Sequence, residues 1–370
     1  MRVGIDARFL THPQRGGFKA YTHSVVAALA LVDRENSYIL YTDRECAEDL
    51  ALPSNFKIKP VPGTHPIIRE QVVLPVVMQR DGVELAHFLC NTAPVVPLVS
   101  MAVTIHDTIP LRPGRFEAGQ DLHTRMLHRY WRGVIPAAAK KSRLVITNSN
   151  YVLHDLGAAF ALPAHRLCVV PLEVNPAFSS QAPGTMPDGV GSGDMYIMAF
   201  ASRDGRKNHQ AAIEAHAMLL PRFPELKLVL VCSHPGIKEK VGDRQGLLPL
   251  GSVSTEELIW LYRNARALIF PSFDEGFGLP PVEAMACGTP VVASNAGSLP
   301  EVTGGCAALA SPSDWKGFAE GIRLILEDDA VRGKMVEMGL RHVKRYARES
   351  MGLELVAAYQ RAAAERRVPP

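Results

Sequence analysis

The sequence predicts an α/β protein of two domains, each a doubly wound parallel sheet covered by helices. Three observations carry this reading. Short runs rich in Val, Ile and Leu alternate with longer amphipathic stretches along the chain, the pattern of strands buried on both faces by the helices between them. Residues 176–194, dense in Pro, Gly and Ser and without periodicity, interrupt that alternation, which then starts again. The chain's 370 residues are also too many for a single core, at roughly 150 per domain.

The elements follow in order. Strands are expected at 2–5, 38–41, 85–89, 101–106 and 144–148, and residues 18–31 form the clearest helical pattern of this half. Residues 1–175 are thus expected to form the first domain and 176–194 the linker. In the second domain, 195–348, strands are expected at 196–200, 227–232, 267–270, 290–293 and 307–309. Its helices are expected near 209–220, 255–264, 281–287, 314–327 and 330–346. The tail from 349 to 370 carries a helical pattern over 349–367 and is expected to cross back onto the first domain. Ligands of such sheets bind at the carboxyl ends of the strands, so the expected site is a cleft between two facing sheets.

Composition narrows the function. Hydrophobic residues make up 47% and charged residues 21%, and the net charge is only +3, too balanced for a dedicated nucleic-acid binder. Cys46, Cys90, Cys168, Cys232, Cys287 and Cys306 form no CxxC pair and no zinc-type spacing, so reduced thiols are expected. Charges at Arg2, Asp6 and Arg8 fall where a signal peptide needs an apolar stretch, and the expected location is the cytoplasm. The uncharged run 88–105 is broken by Asn91, Pro94 and Pro97, and reads as buried strands around a loop rather than a membrane helix.

The densest chemical feature runs from Phe273 to Glu283. Two carboxylates, Glu275 and Glu283, bracket a turn with Gly276 and Gly278 that leads into a helix through Pro280 and Pro281. Such a turn presents backbone N–H groups to an anion or to sugar hydroxyls. Glu283 reads either as a carboxylate favoured by the helix dipole or as a ligand-binding group. With the following 284–293 (AMACGTPVVA) and 297–301 (GSLPE), this stretch resembles the nucleotide-sugar signature of retaining GT-B glycosyltransferases of family 4. The resemblance is strongest from 196 to 302 and implies two Rossmann-like domains facing a central cleft, the first (1–175) binding the acceptor and the second (195–348) the nucleotide sugar. It implies that Glu275 lies beside the donor sugar, that the backbone of Phe277, Gly278 and Leu279 contacts the sugar and phosphate, and that Glu283 holds the ribose.

Other segments take meaning beside it. Arg203, Arg206 and Lys207 sit at a strand-to-helix turn and read as a phosphate cradle or as a solvated basic turn. The resemblance implies that Lys207 binds the donor diphosphate, with Arg206 next and Arg203 after it. Gly16 and Gly17, in the run Arg15 to Lys19, allow close backbone approach at a helix start and resemble the family's glycine-rich loop. His106 ends a strand and reads as a core histidine or, by the resemblance, as a residue close to the donor sugar. Asp107 is expected to orient that imidazole or to cap the next turn, and Asn148 and Ser149 to contact acceptor or cleft. Backbone near 251–253, Val253 included, is expected to read the base.

The expected activity is transfer of a hexose, with retention, from a nucleotide diphosphate sugar to a glycan or lipid-linked acceptor. His106, Glu275 and Lys207 are the candidate catalytic residues. Glu275 as a covalent nucleophile stays open beside an electrostatic or hydroxyl-binding role. The motif style resembles bacterial mannosyltransferases of surface polysaccharide assembly, so GDP-mannose is the expected donor. UDP-glucose, UDP-N-acetylglucosamine and a non-catalytic nucleotide-sugar-binding protein are the alternatives. There is no Asp-x-Asp in a strand-end loop, and His123 and His128 are five apart, a poor helical metal pair, so no metal or other cofactor is expected. Residues 125–143 mix Arg125, Arg129, Arg132, Lys140, Lys141 and Arg143 with Met126, Leu127, Tyr130 and Trp131. They read as an amphipathic helix with a solvated basic face or as a peripheral contact with the inner face of a membrane.

Overall fold

A computed structural model describes residues 1–12, 16–46, 50–61, 65–111, 122–232, 236 and 244–364. Arg15 lies outside them, as do the side chains of His123, Arg125, Leu127 and His128. The chain divides into two units, one of Met1–Glu173 with Arg348–Pro370, the other Val174–Ala347.

The first unit holds seven strands, β1 (Arg2–Asp6), β2 (Ser37–Thr42), β3 (Phe56–Pro60), β4 (Leu85–Phe88), β5 (Ser100–Thr104), β6 (Leu144–Thr147) and β7 (Leu167–Val169). They pair in parallel in the order β3-β2-β1-β4-β5-β6-β7. Side chains alternate between two apolar layers: along β5, Ala102 packs into one and Met101 and Val103 into the other. The first layer includes the helix Gly17–Val32 and, beside it, the chain's last helix, Arg348–Ala364. Gly352 permits that approach, since a Cβ there would lie 2.6 Å from the carbonyl oxygen of Ala28. The returning segment is also clamped by Arg348, which donates to both oxygens of buried Glu173 at 2.8 and 3.0 Å.

The second unit holds β8 (Tyr196–Ala201), β9 (Lys227–Cys232), β10 (Leu247–Leu250), β11 (Leu268–Phe270), β12 (Val291–Ser294) and β13 (Ala308–Ala310). Their order is β10-β9-β8-β11-β12-β13, again all parallel. Numbered within the unit this is 3-2-1-4-5-6, the Rossmann order, and the first sheet repeats it with one strand added at the far edge. Residues 176–194 form no helix or strand and belong to this second unit.

The strands and helices given ranges above hold with boundary shifts, and three strands are missing from them. The strand expected to end at His106 stops at Thr104, and the helix expected over 330–346 ends at His342 and gives way to a 3₁₀ turn, Val343–Tyr346. The strands β3, β7 and β10 are additions to the reading of the sequence, and all three are sheet edges. Edge strands are short and carry Lys or Pro, here Lys57 and Lys59 in β3 and Pro249 in β10, so their apolar signal is weak. Among the described residues no disulfide joins any of the six cysteines, and no helix is long and apolar enough to cross a membrane.

Candidate functional site

In the second sheet the strand order reverses between β8 and β11, the switch point at which open α/β sheets bind ligands. Lys207 follows β8 and Glu275 follows β11; Lys207 Nζ donates to Glu275 Oε1 at 2.7 Å. The lysine is half-buried and its ammonium lies 5.3 Å from the centroid of the Phe270 ring, so its charge is held by a carboxylate and an aromatic face.

Local chemistry fixes both loops. The turn Gly205–Lys207 is capped by Asp204, whose Oδ1 accepts from the Arg206 amide at 3.0 Å. Asn208 then takes a left-handed φ of 49°, which its short polar side chain tolerates. Its side-chain Nδ2 donates to the Pro271 and Pro312 carbonyls at 2.9 and 2.8 Å. The Phe273 amide donates to the Arg206 carbonyl at 2.8 Å, tying the two loops directly. Arg206 Nε donates to both oxygens of Asp204 at 3.1 and 3.0 Å, while Arg203 is exposed. Of the three cations, Lys207 is therefore the one brought against Glu275.

The acidic loop ends at Gly278, with φ of 95°, where the helix Leu279–Ala286 begins. A Cβ at Gly278 would sit 2.6 Å from Leu299 Cδ2, so both the backbone angle and the space demand glycine. Pro280 and Pro281 carry no N–H, which leaves Gly278 and Leu279 as the donors of a first turn that would otherwise offer four. Ser298 braces the loop from behind, its hydroxyl donating to the Glu275 and Phe277 carbonyls at 3.0 and 2.8 Å. Phe277 is buried against Tyr346, ring centroids 5.4 Å apart. Its contribution to a ligand is thus confined to its backbone.

Glu283 lies one turn into this helix and accepts from Tyr262 Oη at 3.2 Å. Burial pushes its carboxyl up to about 7, against the opposing pull of that hydrogen bond. Val253 lies half-buried in the loop after β10, next to Ser254, which caps the helix Thr255–Asn264 in a reciprocal box with Glu257. Sequence reasoning did not find Tyr262 or Ser298. Ser298 stood inside the GSLPE motif, but Tyr262 gave no signal, because it reaches Glu283 from another helix.

In the first unit, His106 follows β5 and is held from three sides. Its Nε2 bonds the Leu89 carbonyl at 2.9 Å, its amide donates to Asn91 Oδ1 at 2.7 Å, and Asn148 Nδ2 donates to its carbonyl at 3.2 Å. Burial pushes the imidazole down to about 4, although the Leu89 hydrogen bond opposes this. A carbonyl only accepts, so Nε2 carries the proton and Nδ1 a lone pair at neutral pH. Asp107 Oδ1 accepts from the Ile109 amide at 3.0 Å, a turn-capping contact. Ser149 caps the helix Asn150–Phe160, its hydroxyl accepting from the Val152 amide at 3.3 Å. Asn148 Oδ1 is buried without a hydrogen-bond partner among the described residues. Gly16 and Gly17 sit at the start of the helix Gly17–Val32, whose Phe18 and Tyr21 rings lie 5.5 and 4.5 Å from the His106 ring. The structure thus brings His106, Asn148 and the glycine turn into one neighbourhood.

Residues 189–342 match the family of glycosyl transferases group 1. The chain is 30% identical over 253 residues to O-antigen chain mannosyltransferase B of Escherichia coli, covering 65% of this chain and 66% of that one. Its structure resembles sucrose-phosphate synthase of Thermosynechococcus elongatus, with a TM-score of 0.71 at 18% identity over 98% of this chain and 99% of the other. It also resembles Anabaena HepE in complex with UDP-glucose, with a TM-score of 0.68 at 17% identity over 97% of this chain and 99% of the other. The match to the glycosyl transferases group 1 family is thus confined to residues 189–342, the chain spans just under two thirds of the length of the curated relatives it matches, and its fold is GT-B.

Proposed function

We propose that the protein transfers a hexose, mannose from GDP-mannose as the first choice, to a glycan or lipid-linked acceptor of bacterial surface polysaccharide, with retention of configuration. The observation that carries this is the Lys207–Glu275 pair, 2.7 Å apart across the switch point of the second sheet. Names of relatives support the sugar: the Escherichia coli relative is an O-antigen mannosyltransferase. The UDP-glucose bound by HepE supports a UDP-sugar as the second reading of the donor.

The chemistry follows from the residues. Cleavage of the sugar–phosphate bond leaves negative charge on the β-phosphate, and Lys207 with the Gly278 and Leu279 amides supplies positive charge and donors there. Arg206 adds a further cation at the same turn, so the reading is of a reaction that does not depend on a metal. Glu275 orients Lys207 and accepts from sugar hydroxyls, and Glu283, once ionised, accepts from the ribose hydroxyls. Neutral His106 offers Nδ1 as an acceptor to a hydroxyl of the donor sugar. Attack from the face that the phosphate leaves, with that phosphate taking the acceptor proton, retains configuration without a covalent intermediate. The expected setting is the cytoplasmic face of a membrane, touched through the basic residues of the helix Leu122–Lys141.

A thermal-shift panel of GDP, UDP, ADP and their sugar conjugates, with and without EDTA, tests the reading, because a ligand of the native state raises its apparent stability. The expected outcome is stabilisation by one nucleotide, insensitive to EDTA and lost in Lys207→Ala. No shift with any of them would overturn it.

A further inference from the structure

His87 is a buried titratable group for which the chemistry above has no use. It lies on β4, between β1 and β5, and is fully enclosed. An imidazole in a sheet core is costly unless both ring nitrogens are bonded. Both are: Nδ1 meets Tyr359 Oη at 2.7 Å and Nε2 meets Thr104 Oγ1 at 2.8 Å. Thr104 Oγ1 in turn meets Tyr21 Oη at 3.1 Å. All four side chains are at most 5% exposed, so the line runs through a low-dielectric interior, where successive hydrogen bonds strengthen one another.

The line ends on His106. The Tyr21 ring stands edge-to-face with that imidazole, at 90° and 4.5 Å between centroids. Thr104 reaches the same residue through the backbone. Its carbonyl accepts from the Asn91 amide at 2.9 Å, and Asn91 Oδ1 accepts from the His106 amide at 2.7 Å. Asn91 is buried and holds a left-handed φ of 64°, and strain of this kind gathers at functional sites. The backbone route sets where His106 lies, the ring route sets how its imidazole is turned, and both pass through Thr104.

The far end of the line is on the last helix, Arg348–Ala364, which carries Tyr359. Burial keeps His87 neutral, so its ring has one N–H and one lone pair, and it donates one of its two hydrogen bonds and accepts the other. Whichever way the line runs, removing the Tyr359 hydroxyl leaves Nδ1 of His87 buried without a partner, a cost that the ring relieves only by moving against Thr104. We propose that Tyr359 is a positioning residue for His106, acting from the last helix through His87, Thr104 and Tyr21 to present the imidazole Nδ1 to the donor sugar. The inference rests on the glycosyltransferase reading above, which supplies the sugar that His106 faces.

Calorimetric titration of the full chain with GDP, GDP-mannose, UDP and UDP-glucose tests it, alongside NMR of the histidine ring nitrogens with His106 assigned by its loss in His106→Gln. The decisive quantity is the affinity of a sugar conjugate divided by that of its bare nucleotide, since a general defect lowers both and a turned imidazole lowers only the first. Tyr359→Phe is expected to lower this ratio by about twofold or more, the size of effect that changes within a packed network carry, with the bare nucleotide bound as in the wild type. Thr104→Val, which breaks the line at its middle, does the same, and Thr104→Ser, which keeps the hydroxyl, restores the ratio. The double variant Tyr359→Phe/Thr104→Val loses no more than the worse single variant, because both cut one line. The His106 nitrogen resonances move in Tyr359→Phe and in Thr104→Val. The proposal falls if either the ratio or these resonances stay as in the wild type, if the bare nucleotide weakens in proportion, or if the two losses add. It also falls if the wild type binds a nucleotide but no conjugate more tightly. A wild-type chain that binds none of the four ligands overturns the transferase reading itself, and with it the donor that His106 would face.

Discussion

Lys207 and Glu275 are a partly buried ion pair whose members face the same expected ligand. Lys207→Ala is expected to lower turnover by about 10²–10³, the usual effect of removing one group that stabilises transition-state charge, as measured by kcat at saturating donor. Glu283 gives a pH signature. Its carboxyl rises from 4.5 to about 7 on folding, so between these values the folded protein binds more protons than the unfolded one. Stability therefore falls as pH rises through that window, and the cost is fully present above 7. Glu283→Gln is expected to raise stability by about 2–3 kcal/mol at pH 8 and by little at pH 4, measured by urea unfolding. The same variant is expected to lose the tightening of nucleotide binding that the wild type shows as pH rises from 6 to 8, measured by calorimetry.

At the scale of the element, function depends on where the helix Leu279–Ala286 starts. Gly278→Ala meets both a positive φ and the Leu299 side chain, and the expected cost is about 1–3 kcal/mol. Nucleotide affinity is expected to fall with it, because the two N–H groups of that turn are displaced. Comparison of the thermal shift with the unfolding midpoint in one titration series checks both effects. Ser254→Ala removes a reciprocal cap and is expected to cost about 0.5–2 kcal/mol, with nucleotide affinity retained if Val253 reads the base through its backbone.

The whole molecule departs from a simple chain of two domains, because the last helix belongs to the first unit. It buries Met351, Leu355, Ala358 and Tyr359 there. Tyr359 Oη meets His87 Nδ1 at 2.7 Å, and His87 Nε2 meets Thr104 Oγ1 at 2.8 Å. Burial, reinforced by the neighbouring His106, pushes His87 down to about 3, so this chain is neutral across the physiological range. Gly352→Ala would press a methyl group onto the Ala28 carbonyl, and a cost of about 1–3 kcal/mol is expected. Hydrogen exchange should locate that loss in β1 and the helix Gly17–Val32, with the amides of β8 and β9 unaffected.

Much of this was legible in the sequence for a physical reason. Central parallel strands are buried on both faces, so Arg2–Asp6, Tyr196–Ala201 and Lys227–Cys232 announce themselves as apolar runs. The Glu275-to-Glu283 stretch was legible because strand end, turn and helix start are contiguous, so local geometry fixes them. The edge strands were not, since half their surroundings are solvent. The partners that arrive from distant sequence were not either: Tyr262 on Glu283, Leu89 on His106, and Arg8, Thr92 and Tyr130 around Glu70. Sequence alone determined which backbone groups and charges stand at each strand end, because those are local properties. Only the tertiary structure decided which charges are neutralised, which imidazole nitrogen keeps its lone pair, and which carboxyl is raised, because burial and pairing are set by residues dozens of positions away.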